Sequence, residues 1–287
     1  MRIYGGDNLM MFPNKWRETI DPFTLNYKNY ILKEILGYPH AGNDVFYTKG
    51  IYNNEEIYAF IKVNRQIGAD VKNEIEVLNK IHIENTPQII DYDKEMTYRV
   101  SIALNGERLS TILGDNLNLE SLEYLEKYGR KLGEIHLIEG DFGNVKDRRF
   151  FHIPSMTYFE ENNLDINIYK YLNNNKPELI NYCFCHGDFH YANILWENKN
   201  ISGILDFELA GIGNKEFDIA WAIILRQGQK FLKSNVEIEK FMKGYNSVNH
   251  CNINYVKYYM ILIYVWFYEF SDAEHKKVIL SEIERLK

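Results

Sequence analysis

Only three cysteines occur in the 287 residues, an odd number, which argues against a disulfide framework and fits a reducing cytoplasm. Proline is scarce at six, and no Pro- or Gly/Ser-rich tract marks a linker. No repeat with a period of roughly 20 to 50 residues is present, so solenoids and propellers are excluded. The longest uncharged apolar run begins at Tyr258 and meets Glu269 after about a dozen residues, short of the roughly 20 that span a bilayer; it reads as a buried helix, with no membrane partner. The start, MRIYGGDNLMMF, lacks a long apolar core and a small-residue cleavage site, so no export signal is evident and a cytoplasmic location is expected. The sequon Asn200-Ile201-Ser202 is then without consequence. There is no basic excess: 33 Lys and Arg face 40 Asp and Glu, a formal charge of −7, which disfavours a nucleic-acid partner and permits a cationic small substrate. Neither G-x₄-G-K-[ST] nor G-x-G-x-x-G occurs, which disfavours a Walker-type NTPase.

What is present is a globular composition, 46% hydrophobic and 25% charged, in a length that suits one large or two modest domains. Aromatics reach 15%, with 22 Tyr; an aromatic box for a quaternary amine and a bias affecting every segment are both open readings. The chemistry concentrates in CHGDFHYANILWENKNISGILDFELAGIGNKEFD, from Cys185 to Asp218. YCF before His186 and ISGILDF around Asp206 read as short buried strands bounded by turns. A hairpin of these two would bring Asp188, Asn193 and Asp206 to one edge. Two carboxylates and an amide oxygen suit Mg²⁺ and a hydroxyl's proton, the needs of phosphoryl transfer. Cys183, Cys185, His186 and His190 lack the C-x₂₋₄-C spacing of a zinc site.

The order H-G-D-x-H-x-x-N, then I-L-D-F, with 18 positions from Asp188 to Asp206, resembles the aminoglycoside phosphotransferase and choline kinase superfamily. The resemblance implies an α+β, two-lobed, protein-kinase-like fold with a small antiparallel-sheet N-lobe and a larger, mainly helical C-lobe. It implies lobes at residues 1–105, binding nucleotide, and 106–287, carrying the catalytic loop and acceptor-binding helices. It makes Asp188 the catalytic base and Asn193 and Asp206 the Mg²⁺ ligands, with Asp218 a buried brace for the catalytic loop; His190, two residues from the base, supports that loop. Lys62 contacts the α and β phosphates of ATP or GTP, and Glu74, with Glu76 as the alternative, pairs with Lys62. Backbone amides of Gly42 and Asn43 would lie over the phosphates, although that turn reads equally as a plain hairpin. Residues 101–106 become the hinge between lobes, holding adenine.

Taken in order, residues 25–36 place Leu25, Ile31, Leu32, Ile35 and Leu36 at spacings that predict a short helix closed by Gly37. Residues 37–64 read as three strands with turns at 41–44 and 53–55. Asp70 caps a helix whose apolar face is Val71, Ile75, Leu78 and Ile81. PQIIDYD and MTYRVSIAL are two more strands, and residues 119–138 a core helix with His136 as a structural histidine at its end. Residues 139–180 match no motif; by resemblance they shape the acceptor pocket with the C-terminal helices.

Asp206-Phe207-Glu208 stands where protein kinases have DFG, and no activation segment follows, which argues against a protein substrate. The DFE and the Asn214 to Ala220 segment resemble choline and ethanolamine kinases, whereas HGD resembles aminoglycoside phosphotransferases. The expectation is an ATP- or GTP-dependent phosphotransferase acting on a hydroxyl of a small cationic molecule, an aminoglycoside or amino sugar, with a role in antibiotic resistance. A choline or ethanolamine kinase and a catalytically silent binding protein are the alternatives.

Overall fold

The computed structural model describes residues 20–39, 43–65, 69–145, 152–178 and 180–287. The described residues form two compact units, one within 4–112 together with 192–210, the other within 113–191 together with 211–287.

The first unit is built on five antiparallel strands, β1 (Tyr30–Gly37), β2 (Asp44–Tyr52), β3 (Glu55–Val63), β4 (Ile89–Tyr92) and β5 (Tyr98–Ile102), in the order β1-β2-β3-β5-β4. Asn53 and Asn54 both have positive φ (51° and 66°), the left-handed pair that closes a two-residue hairpin with the twist of its strands. Helix α1 (Val71–Leu78) is capped by Asp70, whose side chain accepts from Asn73 N. Tyr30, Phe46, Ala59, Ile61, Tyr98 and Val100 form the buried face of the sheet. Residues 30–37 are thus an edge strand and not the expected helix. Two register irregularities against β2 break the period-two alternation and leave a spacing that imitates a helix. What selects the strand is tertiary contact: Asp91 Oδ2 accepts from the backbone N–H of Lys28, Asn29 and Tyr30 at 2.7, 2.6 and 3.0 Å, and a Cβ on Gly50 would stand 2.4 Å from the Tyr30 ring that covers it.

After the short strand β6 (Glu107–Arg108) and helix α2 (Leu109–Leu113) come α3 (Leu122–Ile135), α4 (Met156–Glu161), α5 (Ile166–Asn174), β7 (Tyr182–Cys185), β8 (Ile194–Glu197), β9 (Asn200–Ile204) and β10 (Gly211–Asn214). The expected hairpin between YCF and ISGIL does not form. β9 pairs with β8, which pairs with β6 in the first unit, while β7 pairs with β10 in the second. Asn198 and Lys199, with φ of 50° and 60°, make a two-residue turn that closes β8 on β9.

The second unit continues with α6 (Lys215–Ile223), α7 (Asn235–Asn246), α8 (Ile253–Tyr268) and α9 (Ala273–Leu286). Its core is helical. α8, the apolar run from Tyr258, is buried from Tyr258 through Val265, and among the described residues no helix is long and apolar enough to cross a membrane. α3 and α7 touch backbone to backbone: a Cβ on Gly129 would meet Phe241 O at 1.9 Å, and one on Gly244 would meet Glu126 O at 1.8 Å.

Candidate active site

In the first unit, β3 and β5 place Lys62 directly opposite Arg99, and cross-strand partners share one face of a sheet. Both side chains are buried, and between them α1 inserts the fully buried Glu74. Glu74 Oε2 accepts from Lys62 Nζ at 2.9 Å, and Oε1 accepts from Arg99 Nη2 at 2.9 Å and from the Phe207 amide at 3.2 Å. Glu76, the alternative partner, is exposed on the helix and lies 3.9 Å from Lys72. Burial opposes charge on Glu74, but Arg99, then Lys62, outweigh it and hold the carboxyl at about 2, below its ordinary 4.5. Burial likewise works against the Lys62 ammonium, and Asp206, Glu74 and Glu208 reverse it, raising its affinity for the proton.

Lys62 also meets two acids from the segment after β9, Asp206 Oδ1 at 2.9 Å and Glu208 Oε1 at 2.7 Å. Asp206 has φ of 68°, the left-handed region that aspartate tolerates better than most side chains. The segment is fixed from the α1 side: Asn73 Nδ2 donates to the carbonyls of Glu208 and Ala210 at 3.0 and 2.9 Å. Asn43 Nδ2 donates to Glu208 Oε1, and Asn43 Oδ1 accepts from Arg65 N at 3.2 Å; Gly42, its expected neighbour over the phosphates, lies outside the described residues. Burial raises the Glu208 carboxyl, with Lys62 offsetting part of that. Asn193 is tied to this strand end, its carbonyl accepting from Leu205 N at 2.8 Å. Carboxylate oxygens of Glu74, Asp206 and Glu208 lie within 4.8 Å of one another. Such hard oxygen donors beside a lysine fit Mg²⁺ carried by phosphates.

In the second unit, the loop after β7 carries Asp188 and His190. Asp188 Oδ1 accepts from Trp221 Nε1 of α6 at 2.8 Å, and Oδ2 lies 3.7 Å from His190 Nε2. Two backbone amides, His186 N and Gly187 N, donate to Asp218 Oδ2 and Oδ1, each at 3.1 Å. Asp218 is in turn 3.1 Å from His136 Nε2, and His136 Nδ1 is 2.9 Å from Tyr245 Oη. Gly187 has φ of 75°, which lets the loop turn back over that carboxylate. His136 ends α3 as a buried structural residue.

Arg99, Asn73 and Trp221 escape the sequence reading, as does the contact of Glu208 with Lys62. Arg99 sits in a strand whose alternation assigns it and Ser101 to an outer, polar face, whereas both faces of that strand are buried. Glu208 was legible as two residues past Asp206, where protein kinases have glycine.

The model of the phosphotransferase enzyme family matches residues 67–237, more than half of the chain. The chain belongs to the phosphotransferase enzyme family. Among curated relatives in this family, the probable aminoglycoside 3'-phosphotransferase of Lactococcus lactis subsp. lactis (strain IL1403) is 36% identical over 126 residues, 41% of this chain and 44% of that one. The match therefore spans less than half of the relative's length. Three solved structures are similar in fold. The streptomycin-ATP-APH(2")-IIa ternary complex has a TM-score of 0.58 at 18% identity, covering 83% of this chain and 84% of that one. A choline/ethanolamine kinase family protein from Mesorhizobium loti has 0.55 at 12%, covering 92% and 88%. Amicoumacin kinase hAmiN in complex with AMP-PNP, Ca²⁺ and Ami has 0.55 at 13%, covering 90% and 90%. The fold is α+β and protein-kinase-like, shared by aminoglycoside phosphotransferases and choline kinases.

Proposed function

We propose that this family member is an ATP- or GTP-dependent small-molecule O-phosphotransferase, moving the γ-phosphate to a hydroxyl of a cationic acceptor of the aminoglycoside or amino-sugar class. The observation that carries the reading is the buried Lys62 ammonium held among Glu74, Asp206 and Glu208 at 2.7 to 2.9 Å. A lysine so held stays charged and aimed, which is what binding of α and β phosphates requires. Lys62 steadies those phosphates, Glu74 positions Lys62, and the Asn43 turn with Gly42 covers the phosphates from the backbone. Asn193 and Asp206 hold Mg²⁺, which when bound neutralises charge on the phosphates. Residues 1–105 bind nucleotide, and residues 106–287 supply the base and the acceptor pocket.

Asp188 orients the acceptor hydroxyl and takes its proton as the phosphate is transferred. Trp221 fixes the Asp188 carboxylate, and His190 supports the loop at its side. Nucleotide use is supported by the ATP and AMP-PNP in the solved structures of similar fold. The location proposed is the cytoplasm, and with an aminoglycoside acceptor the activity would be antibiotic resistance. A choline or ethanolamine acceptor is the second reading, favoured by Glu208 in Asp206-Phe207-Glu208.

The test is release of ADP or GDP by the purified protein with Mg²⁺, across aminoglycosides, amino sugars, choline, ethanolamine and homoserine. Acceptor-stimulated release is expected, and Asp188→Ala is expected to bind nucleotide normally while losing transfer by about 10²- to 10⁴-fold. Asp206→Ala is expected to lose Mg²⁺-dependent nucleotide binding. Transfer retained in Asp188→Ala sinks the base assignment; nucleotide binding that no acceptor stimulates favours a silent binding protein.

A further inference from the structure

Behind the Asp188 loop, β7 carries two thiols that the phosphotransfer reading leaves unused. Residues two apart on a strand project from one face, and Cys183 Sγ and Cys185 Sγ are 3.8 Å apart. The end of α3 brings His136 to the same point: one ring nitrogen and the two sulfurs all lie within 4.8 Å of one another. We propose that Cys183, Cys185 and His136 form a binding site for a thiophilic divalent cation of the Zn²⁺ or Cd²⁺ class, separate from the oxygen cluster around Asp206. This proposal does not depend on the phosphotransfer reading.

The geometry is close to what such an ion requires. With metal–sulfur bonds of about 2.3 Å at the tetrahedral angle, two thiolates stand about 3.8 Å apart, and a nitrogen at about 2.0 Å stands about 3.5 Å from each. The sulfur pair has that separation already, and an adjustment of about 1 Å brings in the imidazole. Soft sulfur with imidazole selects this class of cation over Mg²⁺, which takes oxygen. The ring is anchored on both sides, by Tyr245 Oη and by Asp218. A ring nitrogen taken by the ion gives up one of these contacts and keeps the other, the outer support found on metal-bound imidazoles. Cys185 and His136 are buried, whereas Cys183 is half-buried and offers the way in. Three protein ligands leave the fourth tetrahedral position to water. On binding, each sulfur exchanges its proton for a bond to the cation and the protons pass to buffer, so affinity falls on acidification.

The sequence hid this site because His136 and Cys183 are 47 positions apart. His186 and His190, the histidines that the local stretch suggests, are not in the group.

The test is titration of the reduced, full-length protein with Cd²⁺, read by the ultraviolet charge-transfer band of thiolate–cadmium bonds. A saturable band at one equivalent is expected, displaced by Zn²⁺. It should disappear in Cys183→Ser and in Cys185→Ser, persist unchanged in Cys251→Ser, and weaken in affinity at least about tenfold in His136→Gln. Because His136→Gln also touches the Asp218 contact, alkylation mapping of the unsubstituted protein gives an independent readout: Cd²⁺ should protect the half-buried Cys183 from iodoacetamide and leave the labelling of Cys251 unchanged. No saturable band, a band that survives both serine substitutions, or equal protection of Cys183 and Cys251 overturns the proposal.

Discussion

Glu74 serves two cations with one carboxylate, and its proton affinity follows from that. Its folded value of about 2 lies below the ordinary 4.5, so the stabilisation it provides is complete above about pH 4.5 and is lost as pH falls towards 2. That difference corresponds to about 3 kcal/mol. Denaturant titrations from pH 7 to 2.5 should show this loss. In Arg99→Met the neutral-pH stability should drop by about 3 kcal/mol, since a buried charge loses a partner, and the acid-induced part should shrink. Equal acid dependence in both proteins would remove Glu74 from the account. At this scale the sequence pointed to the pairing of Lys62 with Glu74, which the structure forms, and singled out Asp188, Asn193 and Asp206 by their order in one stretch. It was silent on Arg99 and Trp221, whose partners, Glu74 and Asp188, are 25 and 33 positions away and joined only by folding.

Between elements, the α3–α7 contact depends on hydrogen atoms at Gly129 and Gly244 where any other residue has carbon. Gly244→Ala adds a methyl group 1.8 Å from the Glu126 carbonyl. Helix propensity favours alanine by about 1 kcal/mol, yet overpacking a closed contact costs about 1 to 3 kcal/mol or more. A backbone carbonyl cannot rotate away, so the second effect should win. The urea midpoint should fall; a rise would mean that the helices part cheaply. The amphipathic helices were legible in sequence, as in α1 with its Asp70 cap and α3 with Leu125, Tyr128, Leu132 and Ile135 buried. β1 was misread because its irregular register blurs the strand period. β8 was passed over because four residues, Ile194 to Glu197, give too short a pattern and pair with a strand beginning three positions on.

For the whole chain, the family pattern made the fold readable while the acceptor stayed out of reach. The described residues of 139–180 include two short helices, α4 and α5, and their sequence holds no motif with a fixed spacing from which an acceptor could be read. The nucleotide end can be addressed in solution. Nucleotide at about 100 times its Kd should stabilise the protein by about 2.7 kcal/mol through mass action, and only with Mg²⁺ present. The thermal midpoint should rise in the native sequence and stay put in Asp206→Ala. A rise that is equal with and without Mg²⁺ would contradict the role proposed for Asp206.

The relay from Tyr245 through His136 and Asp218 to the amides of His186 and Gly187 has a consequence for inheritance. Three segments far apart in the chain hold one loop, so each substitution is felt through the same support. His136→Gln combined with Asp218→Asn should cost about as much as the worse single change, a coupling that a double-mutant cycle measures directly. Once one of these positions has drifted, selection on the others relaxes, and the set should be kept or abandoned together as the family diverges.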